Sequence, residues 1–150
     1  MEQDATESVS IEFEEDKYRR FRLINWWDQE LLAGATVMVV GAGAIGNELI
    51  KNLTLLGVGR VLIVDMDPQG NATSGVGIDR DRLDASVYDV LLTDVEPLAA
   101  IVPTSVENLS LLPSDRSLAG AEVELVPVPG RERRLKHELS SLSDDFDFIL

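Results

Sequence analysis

The 150-residue chain contains no cysteine and a single histidine. The lack of cysteine excludes disulfide bridges, thiolate zinc sites and a cysteine nucleophile. The one histidine, His137, lies in the polar stretch RLKHEL, where a surface position is favoured over a catalytic base. The chain also lacks any run of about 18 apolar residues, so the sequence predicts no membrane span.

Positive charge is scarce as well, because 13 Lys and Arg stand against 27 Asp and Glu, for a formal net charge of −14. Such a charge repels phosphate backbones, so the sequence predicts that this chain binds neither nucleic acid nor a membrane surface. The first ten residues, MEQDATESVS, lack the basic start and the apolar stretch of a signal peptide. We therefore expect a cytoplasmic protein that begins with a disordered tail over residues 1–13.

Apolar patterning predicts a strand, a helix and a second strand in succession. The continuously apolar runs ATVMVVG (35–41) and RVLIVD (60–65) are typical of buried strands. Between them, four residues recur at the spacing of a helical apolar stripe: Ile45, Leu49, Leu53 and Leu56. A unit of this length implies a parallel strand pair joined by a right-handed crossover.

The alternation of helices and strands continues along the chain. The sequence predicts helices over about 14–32, 82–93, 116–125 and 131–142, and strands over 108–114 and 145–150. Asp84 is the predicted cap of the helix over 82–93. The expected fold class is α/β, an open and mostly parallel Rossmann-like sheet with helices on both faces. Because the final strand runs to the last residue, we expect the sheet to be truncated at that strand.

The segment GAGAIG, residues 41–46, fits the pattern G-x-G-x-x-G between a strand and a helix, which is the context of a nucleotide-binding loop. In such loops the first glycine permits a tight turn, the second admits a phosphate and the third allows close packing of helix and strand. The free amides at the helix start attract an anion.

Two acidic residues, Asp65 and Asp67, follow the second strand 19 and 21 residues after Gly46. An acidic side chain at this position can bind ribose hydroxyls. The pattern predicts nucleotide binding without choosing between NAD and ATP. The chain has no Gly-Lys-Ser/Thr, so the loop is not a P-loop.

The stretch YRRFRLINWWDQELLAGATVMVVGAGAIGNELIKNLTLLGVGRVLIVDMD carries a basic helix, a Trp-Trp-Asp-Gln segment, the glycine loop and an Asp-x-Asp strand end. With this order of features, residues 14–67 resemble the ThiF/MoeB-type adenylyltransferases, relatives of ubiquitin-activating enzymes. The resemblance implies binding of ATP and Mg²⁺. It also implies adenylation of the C-terminal glycine of a ubiquitin-like or sulfur-carrier protein.

The same resemblance implies a role for each candidate site residue. The residues placed on the ATP phosphates are Gly41, Gly43, Ala44 and Gly46. Asp65 or Asp67 binds the ribose, with Asp67 favoured, and Arg20 reaches the nucleotide of the partner subunit in a homodimer. A solvated surface charge is the alternative for Arg20. The family's later Asn, Arg, Lys and Mg²⁺-binding Asp are missing, so we expect this chain to be inactive in adenylation.

A second set of segments covers the rest of the chain: RVLIVDMDPQGNATSGVGI, SVYDVLL, ENLSLLPSDRSLAGAEVELV, RERRLKHEL and DFDFIL. Through these segments, residues 60–150 resemble the ParA/Soj-type partition ATPases. The resemblance implies a switch at Asp67, Gln69 and Asn71, with ordinary turn chemistry as the alternative. The family's lysine-bearing loop is replaced by GAGAIGNE, and we expect its DNA-binding surface to be absent from residues 1–150.

Since both families place a strand ending in Asp at the same point, we interpret the chain as a chimera joined between Gly57 and Asp67. It would consist of the tail, a ThiF-like segment over 14–67 and a ParA-like segment over 68–150. The predicted function is that of an ATP-binding, ThiF-like N-terminal segment. A ParA-type ATPase without its P-loop, an NAD-binding module and a non-functional fragment stay open as alternatives.

Overall fold

The computed structural model describes residues 17–150, whose centre is a five-stranded sheet. The strands are β1 (Thr36–Val40), β2 (Arg60–Val64), β3 (Val102–Pro103), β4 (Leu109–Leu112) and β5 (Phe148–Ile149). Their order is β3-β4-β2-β1-β5, and every neighbouring pair is parallel except β3 and β4. The prediction of an open, mostly parallel α/β sheet is confirmed.

Within residues 17–150, seven α-helices accompany the sheet: α1 (Gln29–Gly34), α2 (Ala44–Leu56), α3 (Asn71–Gly75), α4 (Val87–Leu92), α5 (Pro97–Ala100), α6 (Leu118–Glu124) and α7 (Arg134–Glu138). Short 3₁₀ helices cover Arg19–Leu23, Arg80–Arg82, Arg131–Arg133 and Leu139–Asp145. The predicted tail over residues 1–13 lies outside the described residues. No helix among residues 17–150 is both long and apolar enough to cross a membrane.

Both faces of the sheet are buried, as the continuously apolar strands require. Met38, Leu62 and Val64 lie on one face, in a core shared with α4 and α6. The alternate residues of β1 and β2 lie on the other face, where Ile50 of α2 packs against them. Strands from the two predicted segments, 14–67 and 68–150, therefore pair within one sheet.

Several predicted element boundaries are wrong. The helix predicted over 14–32 is divided within its described part, because Ile24 is extended and the Asp28 side chain caps α1 by accepting a hydrogen bond from the Leu31 amide at 3.0 Å. The helix predicted over 131–142 consists of α7 and flanking 3₁₀ turns. The two-residue edge strand β3 was not predicted, since it contains Pro103.

The cap of α4 is Ser86 rather than Asp84. The Ser86 hydroxyl accepts a hydrogen bond from the Tyr88 amide at 3.2 Å, and the Asp89 carboxylate accepts one from the Ser86 amide at 2.8 Å. This reciprocal arrangement is a capping box. The observed cap therefore lies two residues after the predicted one, and the helix begins at Val87.

Asp147 holds β5 to β1 and gives this edge a pH dependence. Its carboxylate accepts hydrogen bonds from the Thr36 amide at 2.8 Å and the Thr36 hydroxyl at 3.1 Å, and these donors lower the pKa of Asp147 below its ordinary value of 3.8. A lowered pKa stabilises the fold at neutral pH, and this stabilisation is lost as the pH falls through the folded-state pKa. We expect Asp147→Asn to destabilise the protein at pH 7.

The measurement is chemical denaturation of the native chain and of Asp147→Asn at a series of pH values from 7 down to below the ordinary pKa of 3.8. The difference in unfolding free energy should shrink once the pH falls below 3.8. A difference that stays constant over the whole pH range would contradict this role for Asp147.

Candidate functional site

Two loops meet at the edge of the sheet where the parallel strands end. One follows β1 and begins at Gly41, and the other follows β2 and begins at Asp65. The Gly41 amide donates a hydrogen bond to the Val64 carbonyl at 2.8 Å, which holds the two loops side by side. In open α/β sheets, ligands bind in the crevice at this edge.

The glycine loop has two positions that only glycine can occupy. Gly41 has φ +94°, which side chains other than glycine rarely adopt. A Cβ on Gly46 would lie 2.0 Å from the Gly41 carbonyl oxygen, so α2 and the end of β1 approach each other too closely for any side chain. These two glycines shape the loop through the backbone itself.

The third glycine leaves the start of α2 open. Gly43 is the N-cap residue of this 13-residue helix, and no side chain of residues 17–150 caps it. A Cβ on Gly43 would meet nothing within 4 Å, and Gly43 and Ala44 are both exposed. The first amides of a helix lack intrahelical partners and carry the positive end of its dipole. The backbone at this point fits a phosphate.

The side chains of residues 41–48 carry no positive charge. Gly41 and Gly46 have the spacing of G-x-x-x-x-G-K-[ST], so Asn47 and Glu48 occupy the positions of the lysine and the hydroxyl residue. Both side chains are exposed, and Glu48 pairs with Lys51 at 2.5 Å. The loop therefore offers backbone amides without a cation, and Glu48 adds a negative charge in the first turns of α2.

Of the two predicted ribose ligands, Asp65 is buried and fully engaged. It is 1% exposed, and its carboxylate accepts hydrogen bonds from the Asp67 amide at 3.1 Å and from the amide and hydroxyl of Thr73 at 2.9 and 2.7 Å. These contacts lie inside the protein and tie the end of β2 to α3. A ribose would have to displace them to reach Asp65.

Asp67 is half-buried and lies at the edge itself. Its two carboxylate oxygens accept hydrogen bonds from the Gln69 amide at 2.9 Å and the Asn71 side-chain amide at 2.8 Å. The Gln69 and Asn71 side chains are exposed. The turn chemistry expected for this loop is therefore present, and Asp67 is the more accessible of the two acidic residues.

Arg80 is a loop contact that sequence reasoning missed. Its guanidinium donates a hydrogen bond to the Gln69 carbonyl, and its side chain packs over Gly70, where a Cβ would lie 2.6 Å from the Arg80 Cδ. Gly70 has φ +58°, so both its conformation and its close neighbour favour glycine. No sequence motif links residues ten apart in this way, so the contact between Arg80 and this loop could not be predicted from the sequence.

Arg20 lies away from the glycine loop within this chain. It is exposed in the 3₁₀ helix Arg19–Leu23, two residues after Tyr18, which contacts Gly57 at the opposite end of α2. Its predicted role across a dimer stays a prediction. Among residues 17–150, no three His, Asp or Glu side chains cluster as a metal site.

A family model described as "AAA domain" matches residues 40–150. The match includes the last residue of β1, the glycine loop, α2 and β2. It also runs without a break through the predicted junction at 57–67.

Three curated relatives illustrate the similarity. Sporulation initiation inhibitor protein Soj of Bacillus subtilis is 50% identical over 91 residues, which cover 61% of this chain and 36% of Soj. Chromosome partitioning protein ParA of Myxococcus xanthus is 44% identical over 91 residues, 61% of this chain and 32% of ParA. An uncharacterized protein of Mycobacterium tuberculosis, MT1749, is 40% identical over 133 residues, 86% of this chain and 38% of its own length. The chain spans roughly a third of the length of these relatives.

Solved structures also match this chain, over about three quarters of its length. Cobyrinic acid a,c-diamide synthase from Mycobacterium smegmatis matches with a TM-score of 0.63 and 42% identity, covering 77% of this chain and 48% of the synthase. The same enzyme with bound ADP and magnesium matches at 0.60 and 41%, over 77% and 49%. A Cyanothece McdA–ATP complex matches at 0.59 and 25%, over 78% and 46%.

These comparisons correct one prediction and leave another without support. The predicted ubiquitin-like or sulfur-carrier partner is wrong, because the curated relatives with an assigned role are sporulation and chromosome partitioning proteins. The ThiF-type resemblance over 14–67 gains no support from them. The ParA/Soj-type resemblance is confirmed.

Proposed function

Because the chain belongs to the AAA-domain family, we propose that it forms the nucleotide-binding core of a ParA/Soj-type partition ATPase. One observation carries the proposal: the open N-terminus of α2 and the Asp67 loop lie side by side at the carboxyl edge of the sheet. The relatives named for chromosome partitioning support the class of protein. Relatives solved with ADP and magnesium or with ATP support the ligand.

In this proposal the phosphates lie on the glycine loop. Gly43 leaves space for them, and the amides at the start of α2 donate hydrogen bonds to their oxygens. Gly41 and Gly46 shape the loop. Ala44 is the first residue of α2, so its backbone amide is among those that face the phosphates. Asp67 faces the nucleotide from the neighbouring loop, whereas Asp65 acts by holding that loop in place.

The side chains fit nucleotide binding better than rapid hydrolysis. ATP supplies the phosphoryl group and Mg²⁺ neutralises its charge, but the transition state of phosphoryl transfer also needs fixed positive charge. Residues 41–48 contain no Lys or Arg, and Glu48 is negative. We therefore propose weak nucleotide binding and very slow turnover for this chain.

The test is a pair of glycine-to-alanine variants. Gly43→Ala adds a methyl group where no protein atom lies within 4 Å, so the fold is retained while the space for a phosphate is filled. Losing the backbone hydrogen bonds to a charged phosphate should weaken MgATP binding by roughly tenfold or more. The measurement is calorimetric titration with MgATP, with thermal unfolding measured in parallel.

Gly34→Ala is the matched control, because a Cβ there also meets nothing within 4 Å and the residue ends α1 away from the loop. It should bind MgATP like the native chain. Equal binding by both variants would contradict the proposal. Titration with NADH provides the second arm, since a clear preference for NADH would favour the dinucleotide-binding alternative.

A further inference from the structure

A buried hydroxyl connects three parts of the site. Thr73 is fully buried in α3, and its hydroxyl donates to the Asp65 carboxylate at 2.7 Å while accepting a hydrogen bond from the Ser114 amide at 3.0 Å. Ser114 lies just beyond the end of β4. One side chain therefore joins the ends of β2 and β4 to α3.

The connection continues to the candidate site. The second oxygen of Asp65 accepts a hydrogen bond from the Asp67 amide at 3.1 Å, and Asp67 in turn accepts from the Gln69 amide at 2.9 Å. A continuous chain of hydrogen bonds thus runs from the end of β4 through Thr73 and Asp65 to the loop that carries Asp67.

The carboxylate at the centre of this chain depends on its donors. Asp65 is 1% exposed and has no salt-bridge partner within the described part of the chain, where its acceptor bonds come from Thr73 and Asp67. A buried carboxylate is costly unless hydrogen bonds satisfy its oxygens. Removing the Thr73 hydroxyl leaves Asp65 with only the two amide donors, so its hold on Asp67 weakens.

We propose that Thr73 is a positioning residue, which fixes the Asp67 loop against the end of β4 in the orientation that faces the nucleotide. The proposal rests on the proposed function only in placing Asp67 beside the nucleotide. The position of the loop itself is a property of the nucleotide-free protein. Arg80 contacts the same loop through a hydrogen bond to the Gln69 carbonyl.

The test compares Thr73→Val with Thr73→Ser. Valine keeps the shape of threonine without a donor or acceptor, and serine keeps the hydroxyl. In the nucleotide-free protein, amide hydrogen exchange at Asp67 and Gln69 should be roughly ten- to a hundredfold faster in Thr73→Val than in the native chain. This factor corresponds to the loss of one hydrogen bond to a charged group. Thr73→Ser should stay close to the native rates, and MgATP binding should follow the same order.

Ser114→Ala is the matched control. The Ser114 hydroxyl is buried without a hydrogen-bond partner among residues 17–150, while its amide makes the bond to Thr73. Alanine keeps that amide, so exchange at Asp67 should not change. If Thr73→Val does not fold, Thr73→Ala against Thr73→Ser isolates the hydroxyl, because both lose the same methyl group.

Three results would overturn the proposal: native exchange rates at Asp67 in the hydroxyl-free variants, equal rates in Thr73→Val and Ser114→Ala, or uniform acceleration that includes Val61–Val64 of β2. The last result would mean that Thr73 serves general stability. If the native chain does not bind MgATP, the proposed function fails while the exchange comparison still decides the role of Thr73.

Discussion

The double substitution Asn47→Lys with Glu48→Thr is expected to raise the affinity for MgATP by roughly ten- to a hundredfold, because one charge-assisted hydrogen bond contributes that much. Asn47 and Glu48 follow Gly46 at the positions of the lysine and the hydroxyl residue in G-x-x-x-x-G-K-[ST]. The lysine would reach the phosphates, and the threonine would remove a negative charge that repels them. Both positions are exposed, so the fold should tolerate the change.

The measurement is calorimetric titration of both proteins with MgATP, together with phosphate release. Asn52→Lys provides the control, since it adds a positive charge to an exposed position of the same helix away from its N-terminus. Losing the exposed Glu48–Lys51 pair should cost little stability. If the double variant and Asn52→Lys bind MgATP equally, the glycine loop is not the phosphate site.

Gly46→Ala is expected to destabilise the protein by about 2–3 kcal/mol, because the added methyl group overlaps atoms that cannot move away. Its Cβ would lie 2.0 Å from the Gly41 oxygen and 3.0 Å from the Gly41 carbonyl carbon, both of them backbone atoms. Relief requires α2 to move away from the end of β1, where Ile50 packs against the sheet.

Thermal unfolding measures this effect, and a loss of that size should lower the melting temperature by roughly 5–10 °C in a chain of this length. Gly43→Ala is the matched control in the same loop, since it meets no atom within 4 Å. A Gly46→Ala protein as stable as Gly43→Ala would show that the loop and the helix are farther apart than described.

The sequence predicted the parts of the fold whose patterns are local and strong. The apolar runs of β1 and β2 are buried within the sheet, and Leu49 and Leu53 of the predicted stripe of α2 pack against it. The stripe is wrong at its first residue, since Ile45 is 86% exposed, and the buried residue of the helix is Ile50. The glycine loop was also predictable, since Gly41 and Gly46 are required by the backbone itself.

Other features depend on contacts between distant residues and could not be predicted. Arg80 meets Gln69 across the turn, and Thr73 meets the Ser114 amide across 41 positions of the chain. The strand β3 has only two residues, and Ser86 caps α4 because Asp89 returns the hydrogen bond to its amide. The spacing of apolar residues along the chain does not indicate which polar residues will meet in this way.

The unsupported ThiF-type reading has a physical origin as well. A strand, a glycine loop, a helix and a second strand ending in Asp make the same local structure in many nucleotide-binding folds. Much of the stretch 14–67 is that unit, which indicates a phosphate site without fixing the family. The family was decided by residues further along the chain, within the match over 40–150.

The central claim is that the glycine loop and the Asp67 loop together bind the nucleotide. The most direct measurement is a two-dimensional amide NMR titration of the whole chain with MgATP. The account predicts saturable shifts at Gly43, Ala44 and the Gln69 amide, with the β4 and β5 strands unchanged. No shift at these amides at millimolar MgATP, or shifts confined to the opposite edge of the sheet near Gly57, would contradict it.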